Sequence, residues 1–512
     1  MTAELRQPAN NAITWFRKNR GISYLACSFP DMTMRKVPVD AIFCFVAGVL
    51  LLSYTVSRGY TLSFTHDESL TYTRIMHDSF MQVVSNNTSY LSANNHILNT
   101  LLMKLSESIF GSEEVALRFF TLLAHLVFLI YSYRLLKNIP QKIIVMCGFI
   151  VVNVNPYMLD FFSLARGYGM AIALMTVSVY YMSAYMRNTR PKELALSFAA
   201  AGFAVLANFG LLYYMLSLVA VYELYLVYMN KGILFAPAQF MRKNITVLIT
   251  LTVTAIICYE PVRKLVVFHE LYFGGNTGFW HDTVVTLVTT FLYGKPYGAL
   301  VSVPVLAGVG VVFFGALAVF GYAVFKRVSP AHPLAFACIS MLLLVLIILL
   351  SVVLHLFSMA GLLQERYALF IVPLFALAAT GLMSAVALKY RLIGRVGMCV
   401  LALLFVVHFA FSMNFQYTLN WQYDAATKAM LGRLEHEPRA ANRQTKLGIT
   451  WLFEPTINFY RMTHNLHWLK KVTRGGTTGN YDYYYVDTIG IAPLKDHRIL
   501  EAYPVAGTVL MK

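Results

Sequence analysis

Residues 39–75 read VDAIFCFVAGVLLLSYTVSRGYTLSFTHDESLTYTRI. From Val39 to about Ser57 the stretch is apolar and long enough to cross the hydrocarbon core of a bilayer as a helix. Shortly after that run ends, His66, Asp67 and Glu68 stand side by side. A span followed by paired carboxylates at its exit decides the fold class. It also poses a question, because charged residues in a loop are usually just solvated surface. This pair is either decoration or chemistry placed at a membrane face.

The rest of the chain repeats the first half of that pattern. Of 512 residues, 58% are hydrophobic and 13% charged, and the mean hydropathy is +0.60. A soluble domain is nearer a quarter charged. Further apolar runs follow at about 115–136, 142–159, 168–187, 194–209, 211–229, 245–260, 299–325, 334–356, 367–388 and 396–413. The expectation is an α-helical polytopic membrane protein of about eleven spans. Residues 1–38 are polar and basic without a cleavable apolar core, so the first span is expected to act as an uncleaved anchor. The net charge of +17 falls mostly between spans, which reads as a topology signal and excludes nucleic acid as the partner. Six cysteines, Cys27, Cys44, Cys147, Cys258, Cys338 and Cys399, have no CxxC spacing and are expected as small buried hydrophobes.

Charge asymmetry orients the chain. With the N-terminus in the cytoplasm, the inner segments carry roughly twice the Lys and Arg of the outer loops, among them Arg17, Lys18, Arg20, Lys137, Arg187, Arg242, Lys243, Lys326 and Arg391. Residues 1–38 are then a cytoplasmic segment, 39–414 the membrane domain and 415–512 an extracytoplasmic α/β domain. The outer loops are 58–114, 156–167 and 261–298. Loop 58–114 contains NNHILNTLLMKLSESIFG, apolar at helical spacing but too short to span, and is expected as an interfacial helix. Loop 261–298 combines the Gly-rich FGGNTGFWHD with TVVTLVTTFLYG, which reads as a mobile turn followed by a second interfacial helix. Beyond 414, LGITWLFEPTINFY and NYDYYYVDTIGIAPL are strand-like.

The polar residues expected at the outer face converge from four loops: Asp67 and Glu68; Asp160 and Arg166 in NPYMLDFFSLARGYGM; Glu260, Arg263 and Lys264; and Glu365 and Arg366 in LLQERYALFIVP. Ionisable groups at membrane depth are costly, so such a cluster marks a site. A carboxylate can take a proton from an attacking hydroxyl, and arginines can hold a phosphate and the charge left on it. That set suits transfer from a phosphorylated lipid. His66, His77, His96, His269 and His281 also fall outside, without HxxxH or HExxH spacing. Glu223 is expected as an internal hydrogen-bonding group.

In order, HDES, FGSEEVALRFFTLLAHL, NPYMLDFFSLARGYGM and ERYALFIVPLFALAA resemble the GT-C glycosyltransferases, in particular bacterial relatives of dolichyl-phosphate-mannose protein mannosyltransferases and aminoarabinose transferases. The resemblance covers most of 39–390. It implies a polyprenyl-phosphate sugar donor, an acceptor glycan, lipid or protein, and inversion at the anomeric carbon. It further implies Asp67 as catalytic base with Glu68 supporting it or contacting the acceptor, Arg166 and Arg366 as donor-phosphate contacts, and Asp160, His96 and Glu365 as donor-sugar or acceptor positions. Related bacterial enzymes carry a His-Pro-Pro-Leu-like element where this chain has NNHILNT, and His96 keeps the histidine's place. The family is divided over metal dependence, so a divalent metal is retained beside no cofactor at all. The expected location is a bacterial inner membrane. The alternative is a transporter or flippase for a sugar-linked lipid, for which ionisable residues at mid-span and paired broken helices are the expected marks.

Overall fold

The computed structural model describes residues 38–270, 274–329, 332–358, 360–438, 443–487, 490–491, 494 and 496–512. The expected cytoplasmic segment up to Val37, with Cys27, Arg17, Lys18 and Arg20, lies outside the described residues.

All eleven expected spans are helical. Among the described residues, nine helices are long and apolar enough to cross a membrane. They are α1 (Val39–Thr61), α5 (Glu114–Leu136), α8 (Gly167–Asn188), α10 (Leu212–Met229, entered through a 3₁₀ turn), α11 (Pro237–Val267), α13 (Ala299–Phe325), α14 (Ala335–Ser358), α15 (Ile371–Lys389) and α16 (Arg391–Ser412). The expected span at 142–159 is a bent pair, α6 (Lys142–Asn153) and α7 (Pro156–Phe162), meeting at 66°. Pro156 explains the break, since proline disfavours helix in the residue before it but suits the first turn of a new one; Asn155 caps that turn by accepting the Met158 N–H. The remaining span, α9 (Pro191–Ala207), has 17 residues and packs along α8.

Between α1 and α5 lie α2 (His66–Arg74), α3 (Phe80–Val84) and α4 (Ile97–Phe110). Helix α4 is the expected interfacial helix: Ile97, Thr100 and Met103 are buried on one face while Leu105, Ile109 and Phe110 are exposed. The expected second interfacial helix is a π-helical turn, Trp280–Val285, running into α12 (Thr286–Phe291). The loop before it is stitched to the segment leading to Arg366 by paired backbone hydrogen bonds between Gly275 and Leu362, 3.0 and 2.8 Å. A Cβ on Gly275 would sit 2.1 Å from Asp282, so only glycine allows this closure.

After α16 a 3₁₀ stretch, Leu419–Ala426, leads to α17 (Thr427–Glu435), α18 (Glu454–Thr463) and a four-stranded sheet. Strands β1 (Leu447–Ile449), β2 (Tyr483–Asp487), β3 (Ile499–Tyr503) and β4 (Thr508–Met511) take the order β1-β2-β4-β3, with β1 parallel to β2 and the other pairs antiparallel. This region does not bury its apolar surface alone. Phe453, Ile457, Phe459, Leu447 and Leu510 share one core with Phe64, Tyr72, Met76, Met103 and Leu117 of the 58–114 loop and the start of α5. The five described cysteines are free; Cys44 and Cys258 are buried.

Candidate active site

Helix α2 begins with a capping box in which the Thr65 hydroxyl accepts from the Glu68 N–H and the Glu68 carboxylate accepts from the Thr65 N–H. Both members of the sequence pair are thereby fixed at the first turn, with different surroundings.

Glu68 and Arg118 are both fully buried. Arg118 donates to both carboxylate oxygens at 2.8 and 2.7 Å. The Ala165 N–H donates to Glu68 at 2.6 Å, and the Thr65 N–H and hydroxyl donate at 2.9 and 3.0 Å. The remaining Arg118 N–H groups reach the carbonyls of Gly59, Leu62 and Ser63. The sequence reading gave Glu68 a part in supporting Asp67 or contacting the acceptor. Its geometry corrects that reading, because every acceptor position is taken and no face is open to a substrate. A buried pair survives desolvation only when so fully hydrogen-bonded. What it does here is tie α1, α2, α5 and the turn before Arg166 into one frame.

Asp67 points elsewhere. Its side chain keeps 16% of its exposure, and its Oδ2 lies 3.3 Å from Arg166 Nη2 and 3.7 Å from Arg366 Nη1. Burial alone would push this carboxyl up; the two guanidinium groups, helped by a Trp421 hydrogen bond, outweigh it and hold the group below the usual carboxylate range. Arg166 is positioned from behind. Its Nη2 donates to His96 Nε2 at 3.0 Å, and His96 Nδ1 donates to the Ala207 carbonyl at 3.0 Å. Burial, with the Arg166 charge, lowers the His96 ring well below its ordinary value, so the imidazole is neutral and its Nε2 is free to accept. Gly167 permits this approach: a Cβ there would stand 1.8 Å from the Ala207 oxygen. Arg366 lies over the Trp421 and Tyr367 rings at 5.1 and 5.3 Å. Two buried polar atoms in this neighbourhood, Arg166 Nε and the Tyr157 hydroxyl, have no hydrogen-bond partner among the described residues.

Asp160 does not face this group. It accepts from Arg58 at 2.6 Å, from the Tyr293 hydroxyl at 2.8 Å and from the Leu419 N–H at 2.9 Å. Arg58 also donates to the Tyr54 hydroxyl and to the Tyr417 carbonyl. The expected position of Asp160 at the donor sugar or acceptor is corrected accordingly: its carboxylate is filled in a knot holding the chain at 417–419. Glu365 has an exposed side chain and a backbone φ of 46°, and its N–H donates to Thr286. Glu260, Arg263 and Lys264 pair with one another on α11 and stay outside the cluster. Arg58 and Arg118 are absent from the charges that the sequence motifs single out, though Arg118 lies inside the FGSEEVALR motif.

Trp421 and Asp424 were not anticipated at all. Asp424 is buried, accepts from the His66 N–H at 2.6 Å and from Thr456 at 3.0 Å, and is pushed well above the carboxylate range by burial. His66 Nδ1 donates to the Leu452 carbonyl at 2.6 Å.

The arrangement can hold an anion against two guanidinium groups beside an ionised carboxylate. It does not suit a divalent cation at Asp67, where the same two positive charges oppose one. Among the described residues, Glu113, Glu114 and His464 bring histidine and carboxylate ligand atoms within 4.8 Å of one another, but Glu114 is already paired with Lys428 at 2.6 Å.

Residues 97–262 match the family model of dolichyl-phosphate-mannose-protein mannosyltransferase. Two structures of ArnT from Cupriavidus metallidurans share the fold over 92% of this chain and 97% of theirs. The one bound to undecaprenyl phosphate is 12% identical with a TM-score of 0.52, and the apo form 11% identical with 0.51. The Archaeoglobus fulgidus oligosaccharyltransferase, in complex with Zn and sulfate, is 14% identical over 86% of this chain and 67% of its own, with a TM-score of 0.39. No curated protein matches. The family-model match spans two of the four motifs, FGSEEVALRFFTLLAHL and NPYMLDFFSLARGYGM, and the likeness in fold to ArnT extends over 92% of the chain.

Proposed function

We propose that this GT-C-like integral membrane protein is a glycosyltransferase that moves a sugar from a polyprenyl-phosphate donor to an acceptor hydroxyl or amine at the extracytoplasmic face. The observation that carries the reading is Asp67, ionised and partly open, between Arg166 and Arg366. An ArnT of the same fold is known with undecaprenyl phosphate bound, which supports a lipid-phosphate donor here.

In this reading the acceptor hydroxyl gives its proton to Asp67 as its oxygen bonds to the anomeric carbon. The bond from that carbon to the phosphate oxygen breaks, and the electron pair leaves with the polyprenyl phosphate. Arg166 and Arg366 stabilise the phosphate as its charge grows. A carboxylate held down by two arginines is a weak base at rest. Donor binding corrects this, because the phosphate competes for the same guanidinium charge and the hold on Asp67 loosens. The Arg166 Nε and Tyr157 hydroxyl, buried without hydrogen-bond partners among the described residues, are groups whose desolvation a bound donor would offset. Single displacement from the opposite face of the sugar inverts the anomeric centre. The N-terminus lies in the cytoplasm and residues 415–512 outside, in a bacterial inner membrane, where the product enters envelope glycan.

The test is turnover. Purified protein in liposomes is given polyprenyl-phosphate hexoses and pentoses with a crude envelope extract as acceptor source. Release of free polyprenyl phosphate from one donor is expected. Intact donors throughout, with labelled lipid moving across the bilayer, would establish a transporter instead.

A further inference from the structure

Next to the Asp67 cluster, on its C-terminal side, lies a second group of side chains that the proposed chemistry does not use. Trp451 is 51% exposed, unusual for a tryptophan on a polar domain surface. The His66 ring meets it edge-on at 6.1 Å, and the Arg474 guanidinium covers it at 5.5 Å. Glu454, three residues on, is buried and shared between two arginines: Arg74 at 3.0 Å and Arg474 at 3.4 Å, their side chains 42% and 41% exposed. One carboxylate cannot neutralise two guanidinium groups or fill their N–H positions. The patch therefore combines a half-exposed tryptophan, with Arg474 over one side of its ring, and an unspent positive charge.

Its position ties it to the Asp67 site. His66 precedes Asp67, and its ring feels the charges of both Asp67 and Arg474. Arg74 closes the same helix that Asp67 opens, about 10 Å along the axis. Tryptophan faces take the apolar C–H side of a sugar ring, and paired arginines take phosphate or carboxylate oxygens.

We infer that Trp451, Arg474 and Arg74 form the acceptor subsite, and that the acceptor is a saccharide carrying an anionic group. The assignment rests on the glycosyltransferase reading. The ring stacks on Trp451, the anion lies between the arginines, and the reactive hydroxyl is directed toward the first turn of α2. The C-terminal region is thereby an acceptor-reading module.

The full-length protein in nanodiscs is titrated with a disaccharide phosphate monoester, with the same disaccharide lacking phosphate, with a phosphopeptide, and in parallel with undecaprenyl phosphate. The phosphorylated sugar is expected to bind best, with an affinity that falls as salt rises. Trp451→Ala and Arg474→Ala each weaken it about tenfold, the loss of roughly one good contact, whereas Trp451→Phe retains most of it. Arg366→Ala is expected to weaken undecaprenyl phosphate and spare the sugar. Equal binding of the two disaccharides, indifference to Trp451→Ala, or preference for the phosphopeptide would overturn the subsite. Failure of undecaprenyl phosphate to bind the native protein would instead overturn the donor reading beneath it.

Discussion

At the residue scale, two adjacent carboxylates have opposite fates. Asp67→Asn keeps the size of the side chain and removes the base, so turnover should fall by about 10²–10⁴ with the thermal midpoint little changed. Glu68→Gln should do the reverse: it leaves Arg118 buried without its charge partner, at a cost of about 3–5 kcal/mol, read as a lower midpoint and poor yield. The pH dependence follows from the same environment. Asp67 is held below the usual carboxylate range by Arg166 and Arg366, so the acid limb of kcat/KM should lie below that range. Arg366→Gln should move this limb upward, and an unmoved limb would remove Asp67 from the role. Stability carries a separate signature from His96, whose folded value is depressed by burial. The unfolded ring titrates near about 6.5, so this contribution is complete above that pH and is lost as pH falls below it. A melting series across pH 5–8 checks the sign.

At the scale of elements, the account turns on how a short strap meets a helix start. The Arg58–Asp160 pair holds the Tyr417 carbonyl and the Leu419 N–H, and the chain that follows delivers Trp421 onto Asp67 and Arg366. Asp160→Asn should therefore lower turnover through Trp421. Combined with Trp421→Phe it should add little beyond either change alone, a coupling that a double-mutant cycle measures. Full additivity would separate the knot from the site. The helices themselves were legible in the sequence, because apolar runs near twenty residues have few other solutions. So was α4, whose buried positions keep helical spacing. The bend at Val154–Asn155 was hidden inside one apolar run, although Asn155-Pro156 is a visible break signal. Trp421 and Asp424 were not legible. They reach the site through a packing partnership hundreds of residues away in sequence, and nothing local in LNWQYDAA marks them.

At the scale of the molecule, the sequence separated a membrane domain from an exported tail, whereas the structure joins that tail to the loop after α1 and the start of α5. Phe453, Phe459 and Leu510 bury against Phe64, Tyr72 and Met103, so the C-terminal region is a wall of the site's surroundings. Charges scattered along the chain, Arg58, Asp67, Glu68, Arg118, Asp160, Arg166 and Arg366, gather in three groups of ion pairs. Sequence reading expected Asp67, Glu68, Asp160, Arg166 and Arg366 among the converging charges, but it left out Arg58 and Arg118 and included Glu260, Arg263, Lys264 and Glu365, which form no part of these pairs. It could not say which pairs are closed and which one is left partly open. Asp67 is the carboxylate left open, and the central claim rests on it. The most direct test compares native protein with Asp67→Asn in liposomes, following release of polyprenyl phosphate from a sugar donor alongside the thermal midpoint of each. The account predicts release by the native chain and its near-complete loss in the variant at an unchanged midpoint. Equal release by both would contradict it.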